Sequence, residues 1–264
     1  MASVKLNSTD MQTIKAIFDY TFREHVRHKV WLSAALFGMA MLTGGLVASA
    51  LAQDERARMM LDLGLAANEL IALVTVVFLT VHLILQEIES RAVFLILTHP
   101  VPRWHYLLGR FLGTLAAVGV GMAGMGLAHF ALLKALGWGG GGSYLLAWVC
   151  SFEKTAVMAA LALLLSLALT SEAAAMSFAS FFWILGHFSE EMRFVAERSG
   201  NSLLRAGILF ASHVAPDFAH LNYRDAWHAG PIGTAWAVSA AVYTLGYCAA
   251  CLALATQVFE QKEF

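Results

Sequence analysis

The chain has 264 residues, 59% of them hydrophobic and only 13% charged, with a mean hydropathy of +0.67. Soluble domains are about half apolar and a quarter charged, so the long apolar runs here describe a polytopic membrane protein. They exclude a secreted disulfide scaffold, a disordered chain and a soluble enzyme with one core. A net charge of −1 implies no nucleic-acid partner, and the three cysteines, all inside apolar runs, form no disulfide framework.

The lead precedes the first apolar run. From Met11 to Val30 apolar residues recur every four positions (Ile14, Phe18, Phe22, Val26, Val30), with Lys15, Asp19, Arg23 and Arg27 as a second row. This spacing predicts an amphipathic helix lying along a membrane face, either as a solvated lead or as a platform beside a cytoplasmic subunit. Six transmembrane helices follow: 31–52, 63–85, 111–133, a fourth within 144–169, a short fifth at 173–188, and 232–256. The domain plan is therefore a lead at 1–30, one six-helix domain at 31–256 and a tail at 257–264. Ala50-Leu51-Ala52 resembles a signal-peptidase site, but the polar lead and the apolar run before it are too long for an ordinary signal peptide.

Six spans put both ends on one side. The lead carries five basic residues against three acidic ones, the first loop two arginines against three acids, and the second loop Arg91, Arg103 and Arg110. The positive-inside bias places the termini and the second loop in the cytoplasm of a bacterial-type inner membrane. That loop, 86–110, opens on a charged turn, runs through seven apolar residues too short to cross, and stops at Pro100 and Pro102.

The third span is rich in small residues, with Gly113, Ala117 and Gly121 four apart, which suits close packing within the chain or between copies. The tract 137–143 (GWGGGGS) reads as a flexible loop and lacks the Lys-Ser or Lys-Thr of a phosphate-binding loop. In the fourth run a central charge costs about 3 kcal/mol and each leucine returns about half of one. Its six leucines offset one charge but not two, so Glu153 and Lys154 are expected near an interface or facing protein, with 144–152 partly outside the hydrocarbon. Between spans five and six, Leu203 to Ala215 is apolar but too short to cross, and reads as a re-entrant or interfacial outer segment.

Ionisable residues within or beside the runs are Glu69, His82 and His129, placed either at an interface or along a substrate pathway. His220 and Asp225 form an H-x4-D pattern like that of some membrane acyltransferases. Irregular spacing makes the histidines and acids of the outer segment a polar cluster rather than a metal centre, and no metal is assigned. Cys248-Ala-Ala-Cys251 lies in an apolar span and reads as packing.

The amphipathic lead ending in FREHVRHKVW, the loop pattern E-x-E…L-I-L-x-x-P-V-P-R-W…L-L-G-R and the ending FEQKEF make the layout similar to an ABC exporter permease of the second type. Within that group it resembles permeases of multicopper-enzyme and nitrous-oxide-reductase maturation. The resemblance implies a non-catalytic, homodimeric subunit among membrane lipids, with ATP and Mg bound by a partner ABC ATPase and no cofactor in this chain. It implies that Glu87–Thr98 is a cytoplasmic coupling helix, with Glu87, Glu89, Arg91, Phe94, Pro100 and Arg103 as ATPase-coupling residues. Phe18, Phe22, Arg23 and Arg27 would form the flanking platform. Ser90-Arg91 stands where relatives often have Gly-Thr. The rival readings are a stand-alone secondary transporter or channel using Glu69, His82 and His129, and a membrane enzyme using His220 and Asp225.

Overall fold

Apolar backbone that crosses a bilayer must close its hydrogen bonds within the segment, and in the computed structural model every regular element among the described residues is an α-helix. The structure describes residues 8–27, 30–51, 56–90, 102–223 and 234–261. In chain order the helices are α1 (Ser8–Arg27), α2 (Val30–Leu51), α3 (Arg56–Glu89), α4 (Arg103–Ala135), α5 (Gly141–Ala168), α6 (Glu172–His187), α7 (Ser189–Arg198), α8 (Ser202–Val214) and α9 (Thr234–Gln261). Four of them, α3, α4, α5 and α9, are long and apolar enough to cross a membrane. α2 is a 22-residue helix without a charged side chain, and α6 has 16 residues, about 24 Å at 1.5 Å per residue.

The helices overrun the expected spans. α3 begins at Arg56, so Arg58 and Asp62 lie on its first turns rather than in a loop, and it ends only at Glu89. α4 starts at Arg103 directly after Pro102, which cannot donate a backbone hydrogen bond, and so begins eight residues before the expected span at Phe111. Glu87 and Glu89 thus close α3 instead of opening a separate helix. The connection shrinks to 90–102, of which 91–101 lie outside the described residues together with Arg91, Phe94 and Pro100. The glycine tract is shorter as a loop than expected. Gly137 takes a left-handed φ of 83° to end α4, while Gly141 and Gly142 already belong to α5. α9 continues past Thr256 to Gln261, so the expected tail is partly helical and carries the fully buried Phe259.

α5 is the centre of the bundle. Val157 to Leu163 are buried without a break, the pattern of a helix covered on all sides. α3, α4, α6 and α9 pack around it, with α2 on α3 and α1 on α4. Of the two placements expected for Glu153 and Lys154, Lys154 takes the one facing protein: it is buried and paired across to α3, and the helix runs through both residues without a break. α6 is defined at its start by Ser171, whose hydroxyl accepts the Ala174 amide, with Glu172 in its first turn. A new helix begins at Ser189, so the short fifth run ends at His187. α7 and α8 form a hairpin between α6 and α9, with Asn201 capping α8.

The small-residue row of α4 packs against α1. A side chain at Gly109 would strike Ile17, and one at Gly113 would come within 2.6 Å of Thr21 and 2.9 Å of the Phe18 carbonyl. The buried face of α1 is therefore Thr21 and His25, with Ile17 beside them, while Val26 of the expected apolar row is 48% exposed.

Candidate functional site at the α1–α3–α4 end

Arg110 is the hub of this site. Its side chain is 3% exposed and pairs with Glu24 of α1 at 2.6 Å and with Glu87 of α3. It also donates to the Thr21 hydroxyl at 3.3 Å, and its guanidinium lies 5.3 Å from the Tyr20 ring centre and 5.8 Å from that of Tyr106. Tyr106 donates its hydroxyl proton to Glu87. A planar guanidinium with five donors can hold two carboxylates from different helices at once, as the point charge of a lysine cannot. One cation thus joins α1, the end of α3 and the start of α4.

Two neighbours extend the junction. His25 turns Nδ1 to the Thr21 carbonyl at 2.7 Å, so Nδ1 carries a proton, and in the neutral ring Nε2 accepts from Thr114 at 3.1 Å. Arg103 donates to the Phe259 carbonyl and lies 5.4 Å from the Phe259 ring centre, with Tyr106 stacked on the same ring. The ends of α1, α3, α4 and α9 are therefore tied around the two residues, Ser90 and Pro102, that bracket the undescribed stretch.

The three ionisable residues of the proposed pathway do not meet. Glu69 accepts from Lys154 at 3.0 Å and Ser151 at 3.2 Å, with His187 of α6 at 3.6 Å. His82, 13 residues and about 20 Å further along α3, faces Glu172 at 3.0 Å. His129 lies against the Tyr144 hydroxyl and the Met60 carbonyl, both at 3.1 Å. A side chain at Gly64 would collide with this imidazole, so the glycine lets His129 reach the α3 backbone. His220 contacts Ser239 at 3.3 Å, while Asp225 lies outside the described residues.

Of the expected coupling and platform residues, Glu87 is buried in the hub, Glu89 is exposed at the end of α3, and Arg103 holds α9. Phe18 and Phe22 stack at 6.2 Å, and Arg23 and Arg27 are exposed. Arg110, Glu24, Thr21, Tyr106 and Thr114 complete the site without having been singled out. The signal for them was an acid and a base at the facing ends of two consecutive apolar helices, where each charge needs a partner.

The sequence model of the ABC-2 family transporter protein matches residues 66–264, more than half of the chain. The chain belongs to this ABC-2 family. It is an ABC transporter permease, a multi-pass membrane component of a transport machine whose family implies an ATPase partner. No curated protein matches it significantly. The match begins within α3, so it covers Glu87, Arg103, Tyr106 and Arg110 of the hub but not the α1 residues Glu24, Thr21 and His25.

Proposed function

We propose that the permease is one of two copies in an ATP-driven exporter, and that the Arg110 hub relays the movement of a cytoplasmic ATPase to the membrane helices. The observation that carries this reading is the junction itself. One buried cation holds α1, α3 and α4 where the connection 90–102 leaves and re-enters the bundle, so a displacement of that connection acts on three helices as a unit. Packed helices move as rigid bodies rather than by continuous bending, which makes such a junction a lever. The ATPase binds ATP and Mg and contacts the connection and the exposed Arg23, Arg27 and Glu89. Both termini lie on that cytoplasmic side of a bacterial-type inner membrane, with α2 and α6 crossing beside the four long helices to make six spans. A second copy packs on the exposed stripe Phe178, Phe181 and Ile184 of α6, with Phe188 just past its end. The role resembles that of multicopper-enzyme maturation permeases, and the substrate is unassigned.

A stand-alone proton or ion carrier receives less support, because Glu69, His82 and His129 each engage separate partners. Affinity purification of the tagged chain from native membranes tests the proposal. An ABC ATPase should co-purify with it, and Glu89→Arg should reduce that recovery at least tenfold with thermal stability unchanged. A chain that never brings down an ATPase overturns the proposal.

A further inference from the structure

Between α4 and α5, at the end of the bundle where these two helices are joined, lies a groove of about 390 Å³. Its walls are Ala123, Leu127 and Phe130 on one helix and Gly141, Leu145 and Trp148 on the other. On each helix these positions recur at three- and four-residue steps, so each wall is a single face about two turns, or 11 Å, long. Leu127 and Leu145 are 71% and 62% exposed, so the groove opens outward from the bundle. Both helices are long and apolar enough to span, so outward here means toward hydrocarbon.

The polar atoms within reach of the groove are turned away from it. The Trp148 indole donates to the Met122 carbonyl at 3.2 Å and the Tyr144 hydroxyl to the Gly126 carbonyl at 2.8 Å. Gly126 is what brings the indole in, since a side chain there would come within 2.9 Å of it. The occupant must therefore be apolar where it lies in the groove. At the mouth the chemistry changes. Lys134 continues the Leu127–Phe130 face by one turn, is exposed, and holds its ammonium 5.4 Å from the Phe130 ring centre. Trp138 sits edge-on to Tyr144 at 6.2 Å in the same turn region, an aromatic of the kind that marks headgroup depth. No acidic residue lines the groove.

We propose that this groove is a binding site for one anionic phospholipid, with an acyl chain between α4 and α5 and its phosphate against Lys134. The site lies in the leaflet opposite α1, since α4 runs from its contact with α1 to Lys134. An apolar slot alone would take any hydrocarbon, and the lysine at its mouth selects the charge of the headgroup. The inference requires only that α4 and α5 span the membrane and is independent of the ATPase proposal.

Quenching of tryptophan by brominated acyl chains tests it, because Trp148 forms one wall. The full-length chain is placed in nanodiscs with rising fractions of brominated phosphatidylglycerol or brominated phosphatidylcholine. The component of quenching lost in Trp148→Phe should saturate, and should do so at about fivefold lower mole fraction for the anionic lipid. Lys134→Gln should remove that preference while leaving saturable quenching. Ala123→Phe, at a partly buried position in the groove wall, should fill the slot and abolish the saturable component. Quenching that rises linearly and equally for both lipids would reveal annular contact only and overturn the site. An unquenched Trp148 would mean that protein covers the groove, and would overturn it equally.

Discussion

Two buried cations hold this permease together in different ways. Lys154, at the middle of α5, meets one carboxylate, Glu69, which also accepts from Ser151 and faces His187 of α6 at 3.6 Å. Arg110, near the start of α4, meets two carboxylates from two other helices, one of which, Glu24, is 26% exposed. The first site is balanced and local. The second carries one more acid than base, spans three helices and reaches the surface. A buried Lys–Glu pair fixes the register of two helices, whereas a shared cation ties three helices, and removing it strands two carboxylates at once. If the hub relays motion as proposed, rigidity belongs to the middle of the bundle and transmission to its end.

Removing the hub gives the largest effect. Arg110→Ala leaves two carboxylates without their cation, one of them deeply buried, and should cost about 5 kcal/mol, the upper end for a broken buried pair. Thermal unfolding in detergent should register this as a large drop in Tm, and a change of less than about 1 kcal/mol would remove Arg110 from the centre of the site. Arg110→Lys should recover part of the loss, since a point charge can satisfy one carboxylate but not both.

The central pair predicts a different pattern. Lys154→Met alone strands Glu69 and should destabilise by about 3 kcal/mol, while Glu69→Met combined with Lys154→Met should return close to the parent or exceed it. A double-mutant cycle measures the coupling directly. If the double variant stayed as unstable as the single one, Glu69 would be held by Ser151 and His187 more than by Lys154, and the contrast between the two sites would fall.

Gly113 sharpens the same contrast from the side of packing. Its missing side chain lets α1 approach α4 closely enough for Thr21 to reach Arg110. Gly113→Ala should push α1 outward at a cost of about 2 kcal/mol. Trypsin cleavage at Arg23 and Arg27 should accelerate, because α1 loosens while the α3–α5 core does not.

The positions of these elements along the chain were legible before their faces were. Helical character, the short fifth run and the non-crossing segment at 203–215 follow from apolar length and from proline and glycine punctuation, which are properties of a single segment. The partner of α1 was not legible, because the apolar row Ile14–Phe18–Phe22–Val26 takes no account of what lies opposite. α4 offers two glycines, an arginine and a threonine, so the helix turns Thr21 and His25 inward, where each finds a partner. The partner of Lys154 was hidden for a similar reason. Its cost was counted against leucines of its own helix, whereas the compensating charge lies 85 residues earlier on α3. Pairings of this kind depend on the azimuth of one helix against another, which no single-segment pattern carries.

The smallest expected effect lies at the opposite end of the molecule, where Asp217 fastens the α7–α8 hairpin. Burial alone would raise its carboxyl pKa. The Ser189 hydroxyl, the His220 amide and the Arg193 guanidinium together outweigh that and hold it below the ordinary value of 3.8. A depressed carboxylate pKa stabilises the folded state at any pH above the unfolded value, and the gain disappears as pH falls through the folded one. Because Arg193 is about half exposed and screened by solvent, the contribution should be about 1 kcal/mol. The Tm difference between the parent and Asp217→Asn should therefore stay constant from pH 7 to about pH 5 and shrink below about pH 4. A difference that grew on acidification would mean that the protonated acid makes the anchoring contacts, and the hairpin would then be held by hydrogen bonds rather than by charge.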